Sequence, residues 1–268
     1  MSSPAETDET LLSRIRRRGA TRLSNVARAC ADFVVPPVCL ACHAPLGSHD
    51  GLCARCWQQI TFIRAPLCDR LGIPLPFDPG GKAISAAAAA HPPLYDRARA
   101  VALYDGVMKD LIHGFKYSDR HDARRLLGRW LAEAGRELLQ DADMIVPVPL
   151  KRVRLISRRF NQSAIFAREV ARRSGVTCAP QAIVRIKRTP SQVGLTHDER
   201  KRNVRAAFQV PQRTGTSSVD GKNVVLIDDV ITTGATVEAC ARVLRRAGAA
   251  RIDVLALALV ANPATMST

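Results

Sequence analysis

From residue 98 onward the chain alternates between two hydrophobic rhythms. Largely apolar segments at Ala98–Tyr104, Met144–Val148, Gln181–Ile186, Val224–Ile227 and Ile252–Val260 predict strands, with Met144–Val148 and Ile252–Val260 reading as buried ones. Between them, apolar positions recur at helical spacing. Val107–Tyr117 reads as a short helix. Ala123, Leu126, Leu127, Trp130, Leu131, Ala134 and Leu138 predict one over His121–Leu139. Further helices are predicted over Gln162–Arg173 and Ala235–Ala247. Strands alternating with helices specify an α/β domain with a mainly parallel sheet. The polar, basic stretch Lys187–Arg205 predicts a mobile loop.

The first third follows neither rhythm. Leu11, Ile15, Leu23, Val26, Ala27, Cys30 and Phe33, interleaved with arginines, predict an amphipathic helix that Pro36-Pro37 stops. A cysteine-rich segment reaches Cys68, followed by a Pro/Gly-rich stretch from Leu71 to Lys82 and the alanine run Ala86–Ala90. The expected organisation is a helix in 1–35, a small cysteine-rich domain in 36–82 and the α/β domain in 83–268. No apolar run approaches the roughly 18 to 20 residues of a membrane span. Acids precede the first basic residue and no apolar core follows, so a secretory signal is not expected. The expected location is the cytoplasm.

Composition adds one thing. In 268 residues, 40 Lys and Arg face 24 Asp and Glu, a formal charge of +16. Between Lys151 and Arg205 there are 15 basic residues against Glu169, Asp198 and Glu199, a net +12. That concentration favours a polyanionic partner, a phosphorylated small molecule or nucleic acid. Aromatics, at 4%, argue against a base-stacking platform.

The most specific chemistry lies in 224–236, Val-Val-Leu-Ile-Asp-Asp-Val-Ile-Thr-Thr-Gly-Ala-Thr. Four apolar residues form a strand, Asp228 and Asp229 mark its carboxyl end, and a small-residue turn leads into a helix. In open α/β sheets ligands bind at that end of the strands. Turn amides, Thr hydroxyls and the helix N-terminus can cradle a phosphate, and paired carboxylates can hold vicinal hydroxyls. The alternative is a buried strand with an acidic capping turn.

This segment resembles the phosphoribosyl-pyrophosphate (PRPP) motif of type I phosphoribosyltransferases. The resemblance implies that Asp228 and Asp229 bind the ribose hydroxyls, and that Thr232, Thr233, Gly234, Ala235 and Thr236 wrap the 5′-phosphate. Two further segments agree with it. A Pro-rich strand end runs into Lys151, Arg154 and Arg158, cations suited to pyrophosphate, and then Phe160-Asn161-Gln162. Gln192, Leu195, Arg200 and Asn203 stand where such enzymes carry a flexible hood over the site.

The cysteines complete the picture. Cys39-x2-Cys42 and Cys53-x2-Cys56 are two knuckles at the spacing of a structural zinc site. With four cysteines available, His43 and His49 are expected at the surface. Cys68 opens a second set, but Leu71 stands where its partner is expected, so that ribbon reads as degraded and one Zn²⁺ is predicted. Cys30, Cys178 and Cys240 read as inert thiols. Taken together, the head and the three α/β segments resemble the ComF family, a double zinc ribbon joined to a type I phosphoribosyltransferase fold. One departure is Arg159, where the family usually has Gly. The resemblance implies PRPP with Mg²⁺ as ligand and phosphoribosyl transfer to a nitrogen acceptor, a nucleobase or an amine. It equally implies the alternative of a non-catalytic competence protein that contacts DNA or the DNA-uptake machinery. The acceptor, the general base and the oligomeric state, a homodimer included, are left open by the residues.

Overall fold

Five parallel strands organise the larger part of the chain in the computed structural model, which describes residues 36–117, 121–150, 160–186, 207–211 and 218–261. They are β1 (Arg97–Leu103), β2 (Met144–Pro147), β3 (Thr177–Cys178), β6 (Asn223–Ile231) and β7 (Arg251–Leu259), in spatial order β1-β7-β6-β2-β3. A separate antiparallel pair joins β4 (Val184–Arg185) to β5 (Phe208–Gln209). The helices are α1 (Ala54–Gln58), α2 (Ala86–Ala90), α3 (Gly106–Tyr117), α4 (Arg124–Ala134), α5 (Arg136–Gln140), α6 (Gln162–Ser174) and α7 (Ala235–Arg246). The chain divides into two compact units, residues 1–53 and 54–268.

Burial explains why the central strands read as largely apolar. Every residue of β7 after Arg251 is buried, including Asp253, because helices cover both faces of a parallel sheet. Arg97 holds Asp253 through Nη2 at 2.6 Å and Nε at 3.1 Å, and Arg251 adds Nε at 3.2 Å. A buried carboxylate needs partners of this kind.

The topology also fixes where a ligand can sit. From β2 the chain passes through α6 to β3 on one side; from β6 it passes through α7 to β7 on the other. Adjacent β2 and β6 therefore lead outward in opposite directions, the switch point at which open α/β sheets leave a crevice beyond the strand ends.

Several expectations are corrected. The predicted strand Val224–Ile227 runs from Asn223 to Ile231, so the acid pair lies within β6 rather than beyond it. The extension is one-sided: β2 stops at Pro147 opposite Ile227, while β7 continues alongside to Leu259 opposite Ile231. The helix expected over His121–Leu139 is a 3-10 turn (His121–Ala123) followed by α4 and α5, interrupted at Gly135. A Cβ there would lie 2.4 Å from Leu255 Cδ2, so the close approach of β7 requires glycine at the break. The strand expected over Gln181–Ile186 is reduced to Val184–Arg185. The predicted 1–35 helix, the Lys187–Arg205 loop and Cys30 lie outside the described residues, apart from the anchoring of that loop's flanks: Ile186 N–H donates to Ala207 O at 2.8 Å, beside the β4–β5 pair.

Candidate functional site

At the switch point β6 delivers Asp228 and Asp229 on successive positions, so their side chains leave the strand in opposite directions. Asp228 Oδ1 accepts from Ser163 Oγ of α6 at 3.2 Å and from the Asp229 amide at 2.9 Å. Asp229 Oδ2 lies 2.7 Å from Lys116 Nζ on α3. One carboxylate is thus held by α6 and the other by α3. Those helices meet through Phe115 and Phe166, stacked at 4.7 Å, with Phe160 edge-on to Phe115 at 6.0 Å. Burial, and then the charge of Asp229, push the Asp228 carboxyl up to about 7, against the opposing influence of the Asp229 amide, Lys116 and Ser163.

The start of α6 is built by the Phe160-Asn161-Gln162 triplet. Asn161 caps the helix, its side-chain oxygen accepting from Ser163 N–H at 3.1 Å while its amide donates to Val148 O at 3.2 Å. One residue therefore ties the end of β2 to the helix that holds Asp228. Gln162 is 1% exposed, and neither polar atom of its side chain has a partner among the described residues.

After Ile231 the chain turns through Thr232 and Thr233 to Gly234, at φ 74°, and enters α7. Gly234, the N-cap residue, offers no side chain to cap this helix. The first intrahelical bond runs from Glu238 N–H to Gly234 O at 2.9 Å, and the preceding amides of the first turn have no intrahelical partner. Left-handed φ explains the glycine: nothing lies within 4 Å of a Cβ built there, and only the backbone conformation demands it.

The structure thus brings together Asp228, Asp229, Thr232, Thr233, Gly234, Ala235 and Thr236. Lys151, Arg154 and Arg158, and the hood residues Gln192, Arg200 and Asn203, lie outside the described residues. Site reasoning from sequence left out Ser163, which no motif marks. It passed over Lys116 as a site residue, although its place at the end of the helix after β1 could have marked it.

The cysteine head contains a second arrangement. The sulfurs of Cys39, Cys42, Cys53 and Cys56 lie within 4.8 Å of one another. Tetrahedral zinc with Zn–S bonds of about 2.3 Å needs sulfurs about 3.8 Å apart, and Cys42 Sγ stands 3.7 Å from Cys53 Sγ. Burial raises the Cys39 thiol, but the amides of Cys42, Cys53 and Ala41 and the Cys42 side chain outweigh it and bring the thiol down to about 6. A sulfur prepared as thiolate, in a set of four sulfurs all within 4.8 Å of one another, fits structural Zn²⁺ held by Cys39, Cys42, Cys53 and Cys56. Cys240 is buried, with its thiol pushed up by burial, as expected of an inert core cysteine.

Among the described residues no helix is long and apolar enough to cross a membrane. Residues 30–88 match the family model described as double zinc ribbon domain, and residues 161–266 the phosphoribosyl transferase domain. DNA utilization protein YhgH of Salmonella typhimurium is 35% identical over 84% of this chain and 98% of its own length. Competence protein F of Haemophilus influenzae is 28% identical over 82% of this chain and 96% of its own. Among solved structures, the allosteric regulatory enzyme of purine biosynthesis aligns at 22% identity and TM-score 0.37, covering 54% of this chain and 30% of that one. Ribbon and transferase domain stand in the same chain at this identity to a relative matched over nearly its whole length, and on that ground the chain belongs to the ComF family.

Proposed function

We propose that the chain binds PRPP with Mg²⁺ at the carboxyl ends of β2 and β6 and transfers the phosphoribosyl group to a nitrogen acceptor, releasing pyrophosphate. The carrying observation is that one strand end presents the Asp228–Asp229 pair directly before an uncapped helix N-terminus. Hydroxyl and phosphate recognition are thereby spaced for one sugar phosphate.

In this reading the carboxylates accept hydrogen bonds from the ribose hydroxyls, and the amides of 232–236 hold the 5′-phosphate. Lys151, Arg154 and Arg158 hold the pyrophosphate; Gln192, Arg200 and Asn203 belong to the hood that excludes water. The bond from ribose C1 to the pyrophosphate oxygen breaks, a C1–N bond forms, and the acceptor nitrogen loses its proton. Catalysis rests on positioning and on stabilising separated charge. The acid pair offers the oxygen donors that a hard divalent cation takes, and Mg²⁺ when bound neutralises the leaving pyrophosphate. Reduced zinc thiolates and a PRPP ligand both suit the cytoplasm.

Titration calorimetry with PRPP, with and without Mg²⁺, followed by pyrophosphate release on adding nucleobases or amines, tests this. Mg-dependent binding with acceptor-stimulated release is expected. The Asp228→Asn/Asp229→Asn variant should remain folded and lose PRPP binding; retained binding would remove the acid pair from the site.

A second reading, favoured by a specific feature, is a PRPP- and nucleic-acid-binding competence protein without transferase chemistry. Between α4 and α6 an open groove of about 800 Å³ is lined by Arg124, Arg125, Arg168 and Arg172, with Ile165 and Glu169. Glu169 is already engaged by Arg172 at 2.7 Å and Arg173 at 2.9 Å. Cations in such excess suit a phosphodiester backbone, and the relatives named for DNA utilization and competence point the same way. Oligonucleotide affinity should fall steeply with salt. Arg124→Ala/Arg168→Ala should weaken it at every sequence and flatten that slope by about two.

A further inference from the structure

The cysteine-poor segment after the first ribbon repeats that ribbon's hydrogen bonds one by one. In the first, Cys39 N–H donates to Ala44 O, His43 N–H to Cys39 O, Leu46 N–H to Pro37 O and Leu40 N–H to Gly51 O. In the second, Cys68 N–H donates to Ile73 O, Gly72 N–H to Cys68 O, Leu75 N–H to Pro66 O and Asp69 N–H to Ala83 O. The bridge Val38–Pro45 has its counterpart in Leu67–Pro74. His43 and Gly72 share a left-handed backbone, at φ 62° and 67°. Cys53 N–H donates to Cys39 Sγ at 3.3 Å, and Ser85 N–H to Cys68 Sγ at 3.2 Å. A five-residue helix follows each, Ala54–Gln58 and Ala86–Ala90. The Pro/Gly-rich stretch 71–82 is therefore internal to a second ribbon, and the four ligand positions Cys39, Cys42, Cys53 and Cys56 correspond to Cys68, Leu71, Ser85 and Ala88.

This set does not fit zinc. Leu71 and Ala88 have no ligand atom, and the Ser85 hydroxyl is used as the cap of α2, accepting from Ala88 N–H at 3.4 Å. One thiol cannot make a structural site that needs four ligands. What replaces the metal is the α/β core. Cys68, Ile73 and Ala88 are 0%, 4% and 1% exposed and belong to the same buried cluster as β1, β6 and β7, with Leu71 and Leu75 packed against it. The knuckle tip lies on β1: a Cβ at Gly72 would stand 2.5 Å from Ala98 O. Arg99 of β1 reaches back, Nη2 to Asp69 Oδ1 at 2.6 Å and Nη1 to Asp69 O at 2.9 Å.

We infer that the chain is a hybrid of a zinc-dependent first ribbon and a zinc-independent second one, holding one zinc where its family's architecture has two. The second ribbon kept the fold because burial in the α/β core supplies what the metal supplies in the first. Its Cys68 sulfur survives as a hydrogen-bond acceptor for two amides, Leu71 N–H at 3.5 Å and Ser85 N–H at 3.2 Å, and not as a ligand.

Metal analysis of the purified full chain should give one zinc per chain, unchanged in Cys68→Ser and lost in Cys42→Ser. Leu71→Cys/Ser85→Cys/Ala88→Cys, which rebuilds the four-sulfur set, should bind two. Hydrogen exchange with and without a chelator reads the wild type directly, whether or not the triple variant folds. Amides of residues 39–53 should lose protection, while those of Cys68, Asp69, Gly72, Leu75 and Ser85 keep theirs. Two zincs in the wild type, exchange of the second ribbon on chelation, or a folded triple variant that holds only one zinc would each overturn the inference. None of these readouts depends on PRPP binding.

Discussion

Lys116 Nζ lies 2.7 Å from Asp229 Oδ2, with both side chains 16% exposed. This ion pair is what allows two adjacent carboxylates to share one strand end. Lys116→Gln leaves Asp229 without its cation in a poorly hydrated place and should cost about 2 kcal/mol at pH 8, less than a fully buried pair would. Urea denaturation measures it. Adding Asp229→Asn should recover part of the loss, since the two groups are directly coupled.

The Asp228 carboxyl holds its proton up to about pH 7 in the folded chain, because of burial and then the charge of Asp229. Unfolded, it releases that proton near pH 4. Between these values the folded state binds the extra proton, so this group's contribution to stability is complete below about pH 4, declines as pH rises, and levels off above 7. Asp228→Asn lacks that decline. Its stability relative to wild type should therefore improve from pH 5 to pH 8, as read by denaturation at each pH; a constant difference would contradict the placement.

Gly234→Ala puts a methyl group into open space but forces φ 74° on a residue that resists it. Stability should fall by only about 1 kcal/mol. If the turn holds the 5′-phosphate as proposed, PRPP affinity should fall about tenfold or more, because its amides would be displaced. Calorimetry alongside thermal melting separates the two effects.

Gly72→Ala and Gly80→Ala form a matched pair. Both glycines have left-handed φ, 67° and 72°, but only Gly72 has backbone against it, Ala98 O at 2.5 Å from the added Cβ. Gly80→Ala should cost about 1 kcal/mol. Gly72→Ala should cost about 3 kcal/mol or more, since the second ribbon must lift from β1. Equal costs by chemical denaturation would show that the contact carries no energy.

The acid pair, the Thr232–Thr236 turn into a helix, the two CxxC knuckles and the strand–helix alternation were all legible in the amino-acid order. Each is local: a turn needing left-handed φ demands Gly234, a strand buried on both faces demands an apolar run, and a tetrahedral site demands four thiols at short spacing. Relations between distant segments were not legible. Ser163 meets Asp228 from a helix whose start Asn161 ties to Val148 O, and Lys116 meets Asp229 beside the Phe115–Phe166 stack, contacts between segments far apart in sequence. The helix over 121–139 breaks where Leu255 fills the space at Gly135, which periodicity cannot register. The second ribbon lies between the two cases. Cys68, with Leu71 in place of its partner, marks a degraded ribbon in the sequence, but nothing local shows that its backbone persists. Burial against β1 is a tertiary free energy, and only the fold shows it standing in for metal coordination.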